Sequence, residues 1–137
     1  MIDDAIAINA LIEALKYYRE NFISSAYSTM GFTAVAIGWL ITSRSARLFL
    51  HSHRWLSLAS VIMIVISYTG YLALSLRVQS LSQGIANKLS AYPAAQGLYE
   101  HYTLNLPGVR GFILIQGLAT AFIILVIVAI LRDPGKE

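Results

Sequence analysis

Three long apolar runs dominate the pattern of hydrophobic and polar positions along the chain. They cover residues 22–42, 56–76 and 111–131, and none of them contains Asp, Glu, Lys, Arg or His. At about 1.5 Å per residue, a helix of this length spans the roughly 30 Å hydrocarbon core of a bilayer. A soluble protein would have to bury three such helices completely. The pattern therefore predicts an all-α integral membrane protein with three transmembrane helices.

The residues before the first run alternate between apolar and polar positions with a helical period. Apolar side chains recur at three- and four-residue steps, at Ile8, Leu11, Leu15 and Tyr18. This spacing predicts an N-terminal amphipathic helix over residues 1–20, with Asp3 or Asp4 as its N-cap, rather than a signal peptide. The helix either continues into the first run or bends near Asn21 and lies at the membrane surface.

The long connection of residues 78–108 also contains helical periodicity. Its first apolar positions are Val78, Leu81, Ile85 and Leu89. They predict an interfacial helix that Pro93 ends, because proline removes a backbone donor and disfavours helical backbone before it. A second short interfacial helix is expected around residues 98–102, and Pro107–Gly108 is expected to turn the chain into the third run.

Composition supports a small membrane protein rather than a soluble one. The chain has 137 residues, of which 57% are hydrophobic and 12% charged, about half the charged fraction of a soluble domain. The mean hydropathy is +0.64. The three runs leave little chain for anything else, so residues 1–137 are predicted to form one membrane domain. The chain contains no cysteine, which excludes disulfides, thiolate metal sites and Fe–S clusters.

The basic residues lie next to the apolar runs and are interpreted as topology signals. The ten Lys and Arg residues divide equally between the two predicted faces, but those of the short loop and C-terminus are more densely placed. This density predicts that the short loop and C-terminus lie inside and the N-terminus and long loop outside, with a bacterial or archaeal plasma membrane as the expected location. The residues predicted at the membrane interface are Trp39, Arg44, Arg47, Arg54, Trp55, Tyr68 and Tyr71.

Small and polar residues in the first and third runs predict close helix packing. In the first run they recur at steps of four and three residues, a period typical of left-handed helix packing. In the third run, Gln116 is the strongly polar residue deep in an apolar stretch and requires an interhelical partner. The predicted helix-packing residues are Ser24, Ser28, Gly31, Gly38, Gln116, Gly117 and Thr120. A parallel line, Ser25, Thr29 and Thr33, favours interhelical and back-bonded hydroxyls, or alternatively lines a pore.

Two clusters carry some potential for chemistry. His51 and His53 stand two residues apart, so they point to different faces of a helix and could share a metal ion only in extended backbone. Glu100 precedes His101, but no third group is positioned by the sequence to orient them as an acid–base pair. We therefore expect no catalytic site, no metal site and no cofactor, and His51 and His53 are interpreted as interfacial residues.

Three functions fit this sequence. The first is a non-catalytic subunit that packs into and stabilises a larger membrane complex, possibly an energy-transducing or transport assembly, with other integral membrane subunits and membrane lipids as partners. The second is a homo-oligomeric channel lined by the Ser/Thr line of the first run. The third is a redox or small-ligand-binding membrane subunit that acts with a partner. Nucleic acid is not an expected partner, because the basic residues flank the apolar runs.

Overall fold

The computed structural model describes residues 2–132, and 91% of these residues are helical. The helices are α1 (Ile2–Thr42), α2 (Arg44–Ser52), α3 (Arg54–Leu89) and α4 (Leu106–Arg132), and 3₁₀ turns cover Pro93–Ala95 and Glu100–Tyr102. No strand occurs among the described residues. The prediction of an all-α protein is confirmed. Helix α3, and α4 with the turn before it, are long and apolar enough to cross a membrane.

Helix α1 contains both the predicted amphipathic helix and the first apolar run. It begins at Ile2 and continues without interruption to Thr42, so the prediction of Asp3 or Asp4 as the N-cap is wrong. No glycine or proline occurs before Gly31 to break the helix. No stretch of α1 is as apolar as those of α3 and α4, because Ser, Thr and Gly residues lower the hydropathy of its second half.

Helix α2 occupies the segment that the sequence predicts as a compact loop. The Ser43 hydroxyl caps its N-terminus by accepting a hydrogen bond from the Ala46 N–H at 3.2 Å. The helix ends where the His53 N–H donates to the Phe49 carbonyl at 3.0 Å. An N-terminal serine cap supplies a partner for an otherwise unpaired donor and so makes a short helix possible here.

The long connection differs from the prediction at three points. The predicted interfacial helix of residues 78–89 is a continuation of α3, since nothing in that segment breaks the helix before Leu89. A single 3₁₀ turn replaces the second predicted helix. Pro107 and Gly108 lie within the first turn of α4, because the Asn105 side chain accepts a hydrogen bond from the Gly108 N–H at 2.8 Å and caps the helix.

The chain packs as two compact units, and unit 1 contains Met1–Tyr27 and Ala73–Phe112. Its buried core residues are Ile8, Leu15, Leu89 and Ala95, with aromatic side chains of the long connection packed around them. Lys16 lies 4.9 Å from the centre of the Tyr102 ring, a cation–π distance. Unit 1 therefore joins the predicted amphipathic helix to the long connection.

Ser82 ties two segments of unit 1 together. Its side chain is fully buried, and its hydroxyl accepts a hydrogen bond from the Leu104 N–H at 3.0 Å. Replacing Ser82 by alanine leaves that buried donor unpaired, so the free energy of unfolding is expected to fall by about 1–3 kcal/mol. The exposed Ser80 provides the matched alanine control, and denaturant titration followed by circular dichroism measures both. An equal effect of the two variants would contradict the assignment.

Unit 2 contains Ser28–Leu72 and Ile113–Glu137, and most of each predicted span falls within it. Leu40 of α1 is buried against three isoleucines of α4, Ile123, Ile127 and Ile130. In the sequence, residues 122–129 of the third run are bulky and branched, which predicts a surface suited to lipid or another large subunit. That interpretation is wrong for Ile123 and Ile127, because their spacing places them on one face of α4 that packs against α1 and α3.

Candidate functional site

A buried glutamine on α4 is the centre of a polar network in unit 2. Gln116 is 5% exposed, and its Nε2 donates to the Thr33 hydroxyl of α1 at 2.9 Å. Thr33 in turn donates its one hydroxyl hydrogen to the Thr29 carbonyl at 2.8 Å. The Thr33 oxygen can therefore act only as an acceptor toward Gln116, and this fixes which end of the amide faces it.

The other end of the amide has no partner in the described part of the chain. The Gln116 Oε1 atom is buried and receives no hydrogen bond there. Buried carbonyl oxygens are rarely left unsatisfied, because they lose their hydrogen bonds to water without a replacement. The network thus leaves one strong acceptor free within the helix packing of unit 2.

A cavity of about 200 Å³ lies beside this amide. Side chains of α1, α3 and α4 line it, namely Thr29, Met63, Ile64, Ser67, Tyr68, Tyr71, Gln116 and Thr120. The lining combines hydroxyls and one amide with apolar surface, and it contains no Asp, Glu, Lys, Arg or His. The cavity is thus a neutral and partly polar space.

Tyr68 reaches α4 because residue 117 is glycine. Its hydroxyl donates to the Ile113 carbonyl at 3.2 Å. A Cβ atom on Gly117 would lie 2.6 Å from that hydroxyl oxygen, too close for any side chain to be accommodated without movement. The placement of Tyr68 and Tyr71 at the membrane interface stays a prediction. In the structure the Tyr68 hydroxyl is directed into unit 2, and both side chains line the cavity. No local signal in the sequence of α3 could show this.

Other hydroxyls in the apolar helices bond to their own helix. Thr42, Ser60, Thr69 and Thr120 each donate to the carbonyl four residues earlier, at 2.7–2.8 Å. Such back-bonding satisfies a hydroxyl without water and makes it compatible with an apolar environment.

The predicted helix-packing residues separate into two groups. The α4 group, Gln116, Gly117 and Thr120, packs within unit 2, and two of its members are buried. The α1 group, here called the small-residue stripe (Ser24, Ser28, Gly31 and Gly38), is exposed. A Cβ atom on Gly31 or Gly38 would meet no atom of the described chain within 4 Å. The structure therefore does not bring the two groups together.

The predicted interface residues of the α2 region are mostly exposed. Trp39 and Trp55 have 60% and 85% of their surface accessible, and Arg44 and Arg54 are also exposed. The Arg47 guanidinium donates to the Ile41 carbonyl. This side chain therefore lies along the end of α1.

Both histidines of this region are engaged by the chain itself. The His51 Nδ1 atom lies 3.1 Å from the Ile130 carbonyl oxygen, which it can bond only as a donor. The His53 ring stacks on Phe49 at 4.5 Å between centroids, and its Nδ1 atom lies 2.8 Å from the Ser52 hydroxyl. Among the described residues, no group of three or more His, Cys, Asp or Glu side chains could hold a metal ion.

No protein-family model, curated protein or solved structure matches this chain. Its function is therefore inferred from the exposed apolar surfaces of α3 and α4 and from the small-residue stripe.

Proposed function

We propose that this protein is a non-catalytic integral membrane subunit that crosses the bilayer three times and stabilises a larger membrane complex. One observation carries the proposal. In the most apolar 18-residue stretch of α3, only 6% of the residues are buried within the protein. In the corresponding stretch of α4, 28% are buried. A soluble protein would bury its most apolar helices in a core, because exposing them to water is costly. Lipid or partner helices are the surroundings that suit these surfaces.

The second half of α1 supports a third span. Residues 22–42 contain no ionisable acidic or basic side chain and no histidine. Phe32 and Val35 are 83% and 73% exposed. Most polar groups of this segment are Ser and Thr hydroxyls, and those of Thr33 and Thr42 are satisfied by carbonyls of the same helix. A bilayer therefore accommodates this helix despite its lower hydropathy.

The small-residue stripe is the surface that we assign to the partner subunit. Helices associate in lipid through close backbone approach rather than through the hydrophobic effect, because lipid tails are as apolar as the side chains. An exposed face of serines and glycines permits that approach, and nothing in the described chain lies against its glycines. The expected occupant is a transmembrane helix of another subunit.

The channel and redox alternatives have less support. A pore lined by the Ser/Thr line requires free hydroxyls, whereas the Thr33 hydroxyl is bonded to both Gln116 and the Thr29 carbonyl. A redox role for His51 or His53 requires further ligands, and among the described residues no group of three or more His, Cys, Asp or Glu side chains could hold a metal ion. Mild detergent extraction followed by native mass measurement separates the three functions. A discrete hetero-assembly is expected, and a ring of identical chains or a coloured complex would overturn the proposal.

Single-cysteine labelling tests the topology directly, because the natural chain has no cysteine. Ser52→Cys and Ser90→Cys introduce labels at exposed positions on α2 and just after α3, and a third label is added at the C-terminus. A membrane-impermeant maleimide is expected to reach Ser52→Cys and the C-terminal label from the inside, and Ser90→Cys from the outside. Labelling of Ser90→Cys from the same side as the C-terminus would contradict three spans.

A further inference from the structure

We propose that the cavity beside Gln116 binds a small neutral molecule that has one aromatic ring and a phenol-type hydroxyl. This inference goes beyond the accessory role. It does not depend on that role, because this chain alone forms the cavity and every lining residue belongs to unit 2. It rests on three properties of the cavity: its hydrogen-bonding capacity, its charge and its size.

Three polar groups of the lining, those of Gln116, Thr120 and Tyr68, offer hydrogen-bond acceptors to the cavity. The Gln116 Oε1 atom is buried and lacks a donor from the described residues. The Thr120 hydroxyl donates its hydrogen to the Gln116 carbonyl at 2.8 Å, and the Tyr68 hydroxyl donates its hydrogen to the Ile113 carbonyl. What these groups still offer are oxygen lone pairs. A molecule that satisfies them must bring an O–H or N–H donor.

The charge and size of the cavity narrow the choice of molecule. No Asp, Glu, Lys, Arg or His lines it, so an ion would enter without a countercharge and at a high desolvation cost. Its volume of about 200 Å³ exceeds the roughly 150 Å³ of an engineered apolar cavity that binds benzene. One substituted ring therefore fits, with the Met63 and Ile64 side chains as apolar walls and the Gln116 oxygen as the acceptor for its hydroxyl.

Two probes with the same body isolate the hydroxyl donor. We would titrate the purified full-length protein in detergent micelles with 4-propylphenol and with its methyl ether, 4-propylanisole, by isothermal calorimetry, and subtract titrations into empty micelles. The phenol is expected to bind with one-to-one stoichiometry and about tenfold more tightly than the ether, since one hydrogen bond separates them. Equal affinities, or no saturable binding of either probe, would overturn the proposal and leave water as the partner of Gln116.

Variants identify the site within the protein. Gln116→Leu is expected to abolish the preference for the phenol over the ether, because it removes the acceptor. That variant also loses the bond to Thr33, so Ser67→Phe provides a second test: it fills the cavity from an exposed lining position and is expected to abolish binding of both probes. Gln96→Leu, at an exposed position outside the cavity, is the matched control and is expected to bind like the natural protein. Unchanged phenol binding by a folded Ser67→Phe variant would contradict the assignment.

Discussion

Replacing Ile127 by alanine is expected to lower the free energy of unfolding by about 2–4 kcal/mol, the usual cost of truncating a buried isoleucine. Ile127 is 2% exposed and lies in the cluster formed with Leu40, Ile123 and Ile130. Inside a membrane the transfer from water contributes little to that cost. The weakened dispersion attraction around the new cavity still contributes, because surrounding helices relax only partly to fill it.

The matched control for this prediction lies on the same helix. Ile115 is 54% exposed, so Ile115→Ala removes the same atoms from a surface that touches little of the chain. Its effect is expected to stay below about 0.5 kcal/mol, the usual range for a surface substitution. Loss of helical circular dichroism during titration with sodium dodecyl sulfate measures both variants. A larger effect at Ile115 than at Ile127 would show that the buried face of α4 has been assigned incorrectly.

Replacing Gly38 by leucine is expected to leave the isolated protein folded and to abolish its assembly with partner subunits. The new side chain starts in open space, since no atom of the described chain lies within 4 Å of a Cβ atom at this position. It does occupy the small-residue stripe, where a partner helix requires close backbone approach. Native mass measurement after mild extraction reports assembly, and the unfolding titration reports stability.

Gly117 provides a contrast to Gly38, because a leucine at position 117 is expected to destabilise the fold itself. Gly117→Leu forces a side chain against the Tyr68 hydroxyl, which would lie 2.6 Å from its Cβ atom. This variant is expected to destabilise the isolated protein whether or not a partner is present. Unchanged assembly of Gly38→Leu, together with loss of assembly in the exposed variant Ile115→Ala, would place the docking surface on α4 instead of α1.

The sequence also leads us to expect no disulfide and no metal site, on two different grounds. The absence of cysteine is a property of composition and holds in any fold. The prediction that His51 and His53 bind no metal is different, because it depends on what else lies near them. The structure places Nδ1 of each ring near a hydrogen-bonding partner within the chain, and the absence of metal stays a prediction.

The sequence by itself determined the all-α class and the three long apolar segments. The helical period, the length of each apolar segment and its lack of charge are local properties of the sequence. They predict a helix that is compatible with lipid, whichever other helices it packs against. The same reasoning identified Gln116 as a residue that requires a partner. It also marked the small-residue stripe as a surface suited to close packing, although it could not show whether that surface faces the chain or another molecule.

Only the tertiary structure decided which surfaces meet. It exposed the small-residue stripe, paired Gln116 with Thr33, and directed the Tyr68 hydroxyl to the Ile113 carbonyl of α4. Each of these outcomes depends on residues 45 or more positions apart or on the rotation of one helix against its neighbours. A periodic pattern describes the faces of a single helix, and the choice among those faces is made by the packing energy of the helices together.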